Sequence, residues 1–232
     1  MNGPIKTLLF DFGGTLDADG VAWKERFHAL YRAEGLDMAD DAFAPAFYAA
    51  DDPLVGSLPP TTDLSGTVRA LTANLESELA RRRAGCSGSS DRAQRVASGF
   101  LTEASATFER NRPFLKTLSE RYQLGVVSNF YGNLEAVCDG AGLCSFFKVM
   151  VDSHCVGAEK PDPVIFRAAL ESLGATPEKT VFIGDSLRRD REGARRMGMR
   201  FIWIAPKDVQ AGQAEPQAES ITDLRDLAKI LQ

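Results

Sequence analysis

Several polar residues in this chain stand directly after apolar runs, and together they could handle a phosphoryl group. Asp11 follows Leu8-Leu9-Phe10, Ser128 and Asn129 follow Gly125-Val126-Val127, and Asp185 follows Val181-Phe182-Ile183-Gly184. Asp190 lies about one helical turn further on, and Lys160 sits in Glu159-Lys160-Pro161-Asp162-Pro163. Like charges brought together raise one another's pKa, so a cluster of Asp11, Asp185 and Asp190 favours a hard divalent cation. Magnesium suits such a cluster because it takes oxygen ligands, keeps several waters and shares substrate phosphates with the protein. Lys160 would supply a second positive charge, in a loop restricted by the prolines on either side of Asp162. A phosphoryl group would then be bracketed by the metal, Lys160, the Ser128 hydroxyl and backbone amides. Positioning and charge stabilisation of that kind are most of what phosphoryl transfer requires. Asp11 would attack phosphorus and form an aspartyl-phosphate.

These residues can meet only if the runs before them are neighbouring strands. Five such runs are present: Leu8 to Phe10, Leu124 to Val127, Phe147 to Val151, Val181 to Ile183 and Phe201 to Ile204. They are continuously apolar, as strands of a parallel sheet covered on both faces must be. Helical stretches separate the later runs. Pro113 to Tyr122 precedes the second. Asp162-Pro163 reads as an N-cap and first turn of a helix to about Leu173. Leu187 to Met197 ends at Gly198, a suitable C-cap. The alternation predicts an α/β fold with a doubly wound parallel sheet, whose ligands bind at the carboxyl edge. Residues 18–110 carry no comparable strand and read as an inserted helical cap. There Trp23, Phe27, Leu30 and Tyr31 share one helical face, and Val68, Leu71, Leu75 and Leu79 share another. Breaks fall at Leu58-Pro59-Pro60 and from Gly85 to Ser90. The α/β core domain is therefore expected over 1–17 and 111–232, with the cap over 18–110.

The 232 residues carry a net charge of −5 and are 44% hydrophobic, enough for one large domain, or a domain with a smaller insert. The basic clusters Arg81-Arg82-Arg83 and Arg188 to Arg196 are diluted by acids, which argues against a nucleic-acid partner. No run is long enough to cross a bilayer, and Asp11 interrupts an N-terminal stretch too short for a signal peptide, so a cytoplasmic location is expected. Cys86, Cys138, Cys144 and Cys155 lack CxxC spacing and read as reduced thiols. Nothing in the pattern indicates an oligomeric state.

Asp11-Phe12-Gly13-Gly14-Thr15-Leu16 resembles the first motif of the haloacid dehalogenase superfamily. Val127-Ser128-Asn129 resembles its second motif, Lys160-Pro161-Asp162-Pro163 its third, and Gly184-Asp185-Ser186 through Asp190 its fourth. Order and spacing agree across residues 1–17 and 111–232, and the cap matches in placement. The resemblance implies a magnesium-dependent hydrolase acting on a small phosphorylated metabolite. Asp11 would be nucleophile and metal ligand, Gly13 would bind metal through its carbonyl, and Asp185 would be the other side-chain ligand. Asp190 would join the metal site or orient Lys160. Ser128, Asn129 and Lys160 would bind phosphate, with Gly13, Gly14 and Thr15 beside them.

One departure stands out. Phosphatases of this superfamily usually carry a second Asp two residues after the nucleophile as general acid and base, and here that position is Gly13. Such a group contributes about a hundred- to ten-thousand-fold in rate. The substrate could have a good leaving group; Asp17, Asp19, His28 or a cap residue could substitute; the phosphate could pass to another acceptor; or the site could bind without turning over. Dehalogenases also lack the second Asp, but they lack the acidic fourth motif too. Phosphonate-cleaving relatives need a cap lysine, and Lys24, the only lysine between residues 18 and 110, reads as a surface residue beside Trp23. Blander readings compete elsewhere: Asp190 as a helix-surface charge, the arginines of 187–197 as a solvated face, and His28 and His154 as isolated histidines.

Overall fold

The computed structural model describes residues 4–82, 88–211 and 219–231. Arg83, Cys86 and the start of the glycine–serine break after Arg82 lie outside them.

All five apolar runs are strands: β1 Thr7–Phe10, β2 Gln123–Ser128, β3 Val149–Asp152, β4 Thr180–Gly184 and β5 Arg200–Ile204. A sixth, β6 Glu219–Ile221, was not expected, because a three-residue edge strand with two exposed positions leaves no apolar run to read. The order is β3-β2-β1-β4-β5-β6 and every pairing is parallel. This is the doubly wound arrangement, with its topological switch between β1 and β4. The continuous apolar character of the strands follows from their two buried faces. Leu8 and Phe10 enter a core shared with Leu124, Val126, Val181 and Ile183. Leu9, between them, enters a separate core with Val127, Phe182, Ile165 and Phe166.

Between β1 and β2 stand only helices among the described residues: α1 Trp23–Ala33, α2 Asp40–Asp51 with a 3-10 turn Asp52–Leu54, α3 Leu64–Arg82 and α4 Ser90–Ser119. The two expected apolar faces are buried, with Leu30 partly so. α4 differs from expectation. It runs without a break through residues 110–111 and past Pro113, where a new helix was expected to begin. Proline removes one N–H from the helix ladder, but Phe108, Asn111, Leu115 and Leu118 are buried on either side and hold the helix together. The remaining helices are α5 Leu134–Gly140, α6 Ser153–Val156, α7 Pro163–Leu173 and α8 Glu192–Met197, with two short segments near the end of the chain. α7 has the expected ends: the Asp162 side chain accepts from the Val164 amide, and Gly174 closes it in the left-handed conformation. Among the described residues no helix is long and apolar enough to cross a membrane. Cys138, Cys144 and Cys155 are free thiols.

A buried charge ties the first loop to the helical insert. The Asp17 carboxylate accepts from the Gly14 amide at 2.7 Å, from Trp23 Nε1 at 2.8 Å and from Arg26 Nη1 at 2.7 Å. Burial raises the Asp17 pKa, and the Arg26 charge opposes that rise. Arg26 also lies 3.8 Å over the Phe100 ring of α4 and donates to the Phe100 carbonyl. Removing one member of a buried pair strands the other. Arg26→Met is therefore expected to lose about 3 kcal/mol of stability, read as a lower urea midpoint, and adding Asp17→Asn should recover part of it.

Candidate active site

Most of the chemistry-bearing side chains stand at or just after the end of a strand; Lys160 comes from the loop between α6 and α7, and Asp190 from the helical turn after β4. Asp11 leaves β1, and its amide still donates to Ile183 of β4 at 2.9 Å. Ser128 ends β2, and its hydroxyl donates to Asp11 Oδ1 at 2.9 Å. Lys160 reaches the same oxygen at 2.6 Å and Asp190 Oδ1 at 2.7 Å. Asn129 holds the lysine in place through its backbone: Oδ1 accepts from the Lys160 amide at 2.7 Å and Nδ2 donates to the Lys160 carbonyl at 3.3 Å.

Asp185 and Asp190 depend on glycines. A Cβ on Gly14, which has φ +87°, would lie 2.5 Å from Asp185 Oδ2. A Cβ on Gly184 would lie 2.3 Å from Asp190 Oδ2. No larger residue leaves room for either carboxylate at these two positions. Beyond Ser186 the chain makes a wide π-helical turn, Leu187–Arg191, in which the Arg191 amide reaches back to the Ser186 carbonyl. That turn carries Asp190 inward, where it is 0% exposed. Its second oxygen accepts from the Ser186 amide at 3.0 Å.

A carboxylate oxygen from each of Asp11, Asp185 and Asp190 lies within 4.8 Å of the others. Burial, then repulsion from Asp11 and Asp190, puts the Asp185 pKa well above the usual carboxylate range. Burial raises Asp190 to about 6 against the pull of Lys160. For Lys160, burial favours the neutral amine, but the charges of Asp11 and Asp190 outweigh it and the pKa rises. Three carboxylates facing one ammonium leave excess negative charge, which a cation would neutralise. The donors are hard oxygens, the set magnesium prefers. The group can therefore hold such an ion.

Asp11, Gly13, Ser128, Asn129, Lys160, Asp185 and Asp190 all line one cavity of about 420 Å³. Gly14 and Thr15 do not. Thr15 is fully buried, with its hydroxyl 3.5 Å from Asp185 Oδ1, so both residues support a carboxylate instead of facing the cavity. Asp190 is not a surface charge, since the π-turn directs it inward. Arg188 and Arg189 line the cavity and are not merely a solvated face. Lys24 lines it too. Its side chain is only 14% exposed, and it binds Asp40 at 2.8 Å and Glu25 at 3.1 Å. Those partners outweigh its partial burial and raise its pKa, so it remains an ammonium and not a free amine. The proposed acid–base substitutes Asp17, Asp19 and His28 are all absent from the cavity wall. Asp17 is consumed by its own network, Asp19 pairs with Arg110 at 2.7 Å, and His28 stacks on Phe43 and bonds the Met38 carbonyl. Sequence reasoning missed Asp51 and Tyr131, whose cavity positions have no local motif.

The family model of haloacid dehalogenase-like hydrolases matches residues 5–198. The chain belongs to that family. It is 33% identical over 147 residues to the phosphoserine phosphatase of Thermus thermophilus, covering 62% of this chain and 58% of that one. It is 30% identical over 146 residues to the glyceraldehyde 3-phosphate phosphatase of Methanothermobacter thermautotrophicus, covering 58% of this chain and 64% of the relative. The chain thus spans less than two thirds of either relative. A crystal structure of a dehalogenase with an intermediate complex shares the fold at a TM-score of 0.65 and 17% identity, over 99% of this chain and 98% of that one.

Within this haloacid dehalogenase-like hydrolase, the space above Gly13 is filled. A Cβ there would meet Trp23 Nε1 at 3.2 Å and Cδ1 at 3.4 Å. The indole is held by Asp17 and by edge contacts with Phe100 and Phe130 at 5.0 and 5.9 Å between ring centroids. A side chain at residue 13 requires the indole to give way by a few tenths of an ångström at the Cβ alone. Gly13→Asp is expected to shift the Trp23 fluorescence, lower the melting temperature and bring no gain in turnover.

Proposed function

We propose that this protein is a magnesium-dependent phosphatase that hydrolyses a small phosphorylated metabolite through an aspartyl-phosphate on Asp11. The observation that carries this reading is the position of the Asp11 carboxylate. It lies at the switch point of the sheet, touching the Ser128 hydroxyl and the Lys160 ammonium, with Asp185 and Asp190 alongside. The phosphatase relatives support the same reading.

Asp11 attacks phosphorus while Ser128 and Lys160 take phosphoryl oxygens, so the nucleophile and its electrophile are held together by one hydrogen-bonded set. Asp190, with one oxygen on Lys160 and the other on the Ser186 amide, keeps the ammonium in place. Asp11, Asp185 and the Gly13 carbonyl would hold the magnesium ion, which when bound neutralises charge on the phosphoryl group. The helical insert acts as a cap, covering the cavity with Trp23, Lys24, Phe47 and Asp51 and choosing the substrate. Gly13 favours a second reading, a phosphate-binding module that stops before turnover.

Phosphate release from a panel of phosphorylated metabolites separates the two. Wild type is expected to release phosphate with Mg²⁺ and to stop with EDTA, and Asp11→Asn should abolish release. Magnesium should also bind by titration calorimetry and lose affinity in Asp185→Asn. Full release by Asp11→Asn would overturn the covalent route. A beryllofluoride adduct on Asp11 without turnover of any substrate would establish the binding module.

A further inference from the structure

If Asp11 is the nucleophile, as proposed above, and the leaving group needs a proton, something other than residue 13 must supply it. Trp23 occupies the place above Gly13. On its far side the indole meets Tyr131, 6.3 Å between ring centroids, and the Tyr131 hydroxyl donates to Asp51 Oδ1 at 2.5 Å. Tyr131 belongs to the loop that continues from Ser128 and Asn129. Asp51 is the last residue of α2, so this bond joins the insert to the catalytic edge. A second bond, from the Gly56 amide to the Tyr131 carbonyl at 3.0 Å, fixes the same junction.

Asp51 lines the cavity that holds Asp11 and Lys160. It is partly buried, and its Oδ2 makes no hydrogen bond among the described residues. The other acids on the insert side of the cavity, Glu25 and Asp52, are exposed, and Glu25 is paired with Lys24. We propose that Asp51, held by Tyr131, is the general acid and base of this enzyme in place of the residue missing at position 13. As Asp11 bonds to phosphorus, the P–O bond to the leaving group breaks and its electron pair stays on the leaving oxygen. The Asp51 carboxyl gives its proton to that oxygen. Asp51, now a carboxylate, takes a proton from the water that attacks the aspartyl-phosphate. Inorganic phosphate leaves, and Asp11 and Asp51 return to their starting forms.

Asp51 is suited to such a cycle. Burial raises its pKa to about 6; the Tyr131 hydrogen bond and the Arg189 charge oppose the rise, and Asp52 adds to it. Glu25 and Lys24 are the remaining charges on the insert wall of the cavity. A general acid works best with a pKa near the working pH.

The test compares wild type, Asp51→Asn and Tyr131→Phe with Mg²⁺ on an alkyl phosphate and on p-nitrophenyl phosphate, whose leaving group needs no proton. Asp51→Asn is expected to lose about a hundredfold or more in kcat on the alkyl ester. On p-nitrophenyl phosphate it should give a burst of one nitrophenolate per site and then stall at hydrolysis. In wild type the donating acid form is lost as pH rises through about 6, so kcat/KM on the alkyl ester should fall above that pH. The limb should vanish in Asp51→Asn and move to higher pH in Tyr131→Phe, where the carboxylate loses a donor. Beryllofluoride addition to Asp11, followed by fluorine NMR, reports whether the nucleophile site survives in each variant. Unchanged alkyl-ester turnover in Asp51→Asn, or equal losses on both substrates in the first-turnover release of the leaving group with the adduct intact, would overturn the assignment. A limb near pH 6 that persists in Asp51→Asn would do the same. Absence of turnover in wild type would overturn the phosphatase reading and this assignment with it.

Discussion

The active edge of this protein depends on one buried ammonium. Lys160 lies between Asp11 and Asp190 at 2.6 and 2.7 Å, and without it three carboxylates would face one another in a space largely closed to water. Such a group persists only when paired. Much of the surrounding architecture serves that pairing. Asn129 clamps the lysine backbone, and Gly184 lets the Asp190 carboxylate approach. Gly14 does the same for Asp185, and the π-turn brings Asp190 in from a helix that would otherwise display it. Strand order places these pieces on adjacent strand ends, since β1 has β2 on one side and β4 on the other.

The same cluster is one that a cation would suit. One ammonium does not balance three carboxylates; burial first, and then repulsion from the neighbouring carboxylates, raises the pKa values of Asp185 and Asp190. A proton, a divalent ion or the approach of a metal-bound phosphate would each resolve the imbalance. The site is thus preorganised for charge that arrives with the ligand.

A second buried charge, Asp17, governs the insert. It receives the backbone of the loop after β1, the Trp23 indole and the Arg26 guanidinium at once. Through it the loop after β1 is coupled to α1, and Arg26 extends the coupling to Phe100 on α4. Trp23 then stands against Gly13, which makes the missing acid and the position of the helical insert two aspects of one packing arrangement. The glycine leaves room for the indole, and the indole reaches Tyr131.

Much of the core was legible from the chain alone. Parallel strands buried on both faces must be apolar at every position, so five of the six could be read directly, and the sixth escaped because an exposed edge of three residues has no such requirement. Asp162-Pro163 announced the start of α7 because capping is a local matter of backbone geometry. Asp11, Ser128, Asn129 and Asp185 were also readable, since each ends its strand or follows it immediately. What the tertiary structure decided lies where residues far apart in sequence meet. Thr15 turned away from the cavity to Asp185, and Lys24 came to line it while paired with Asp40 and Glu25. Arg188 and Arg189 joined its wall, and Asp51 came to rest against Tyr131, 80 residues away. Local order in the chain determines strands, caps and the residues at strand ends. The pairing of buried charges across elements depends on how the insert packs on the sheet, and no local pattern encodes it.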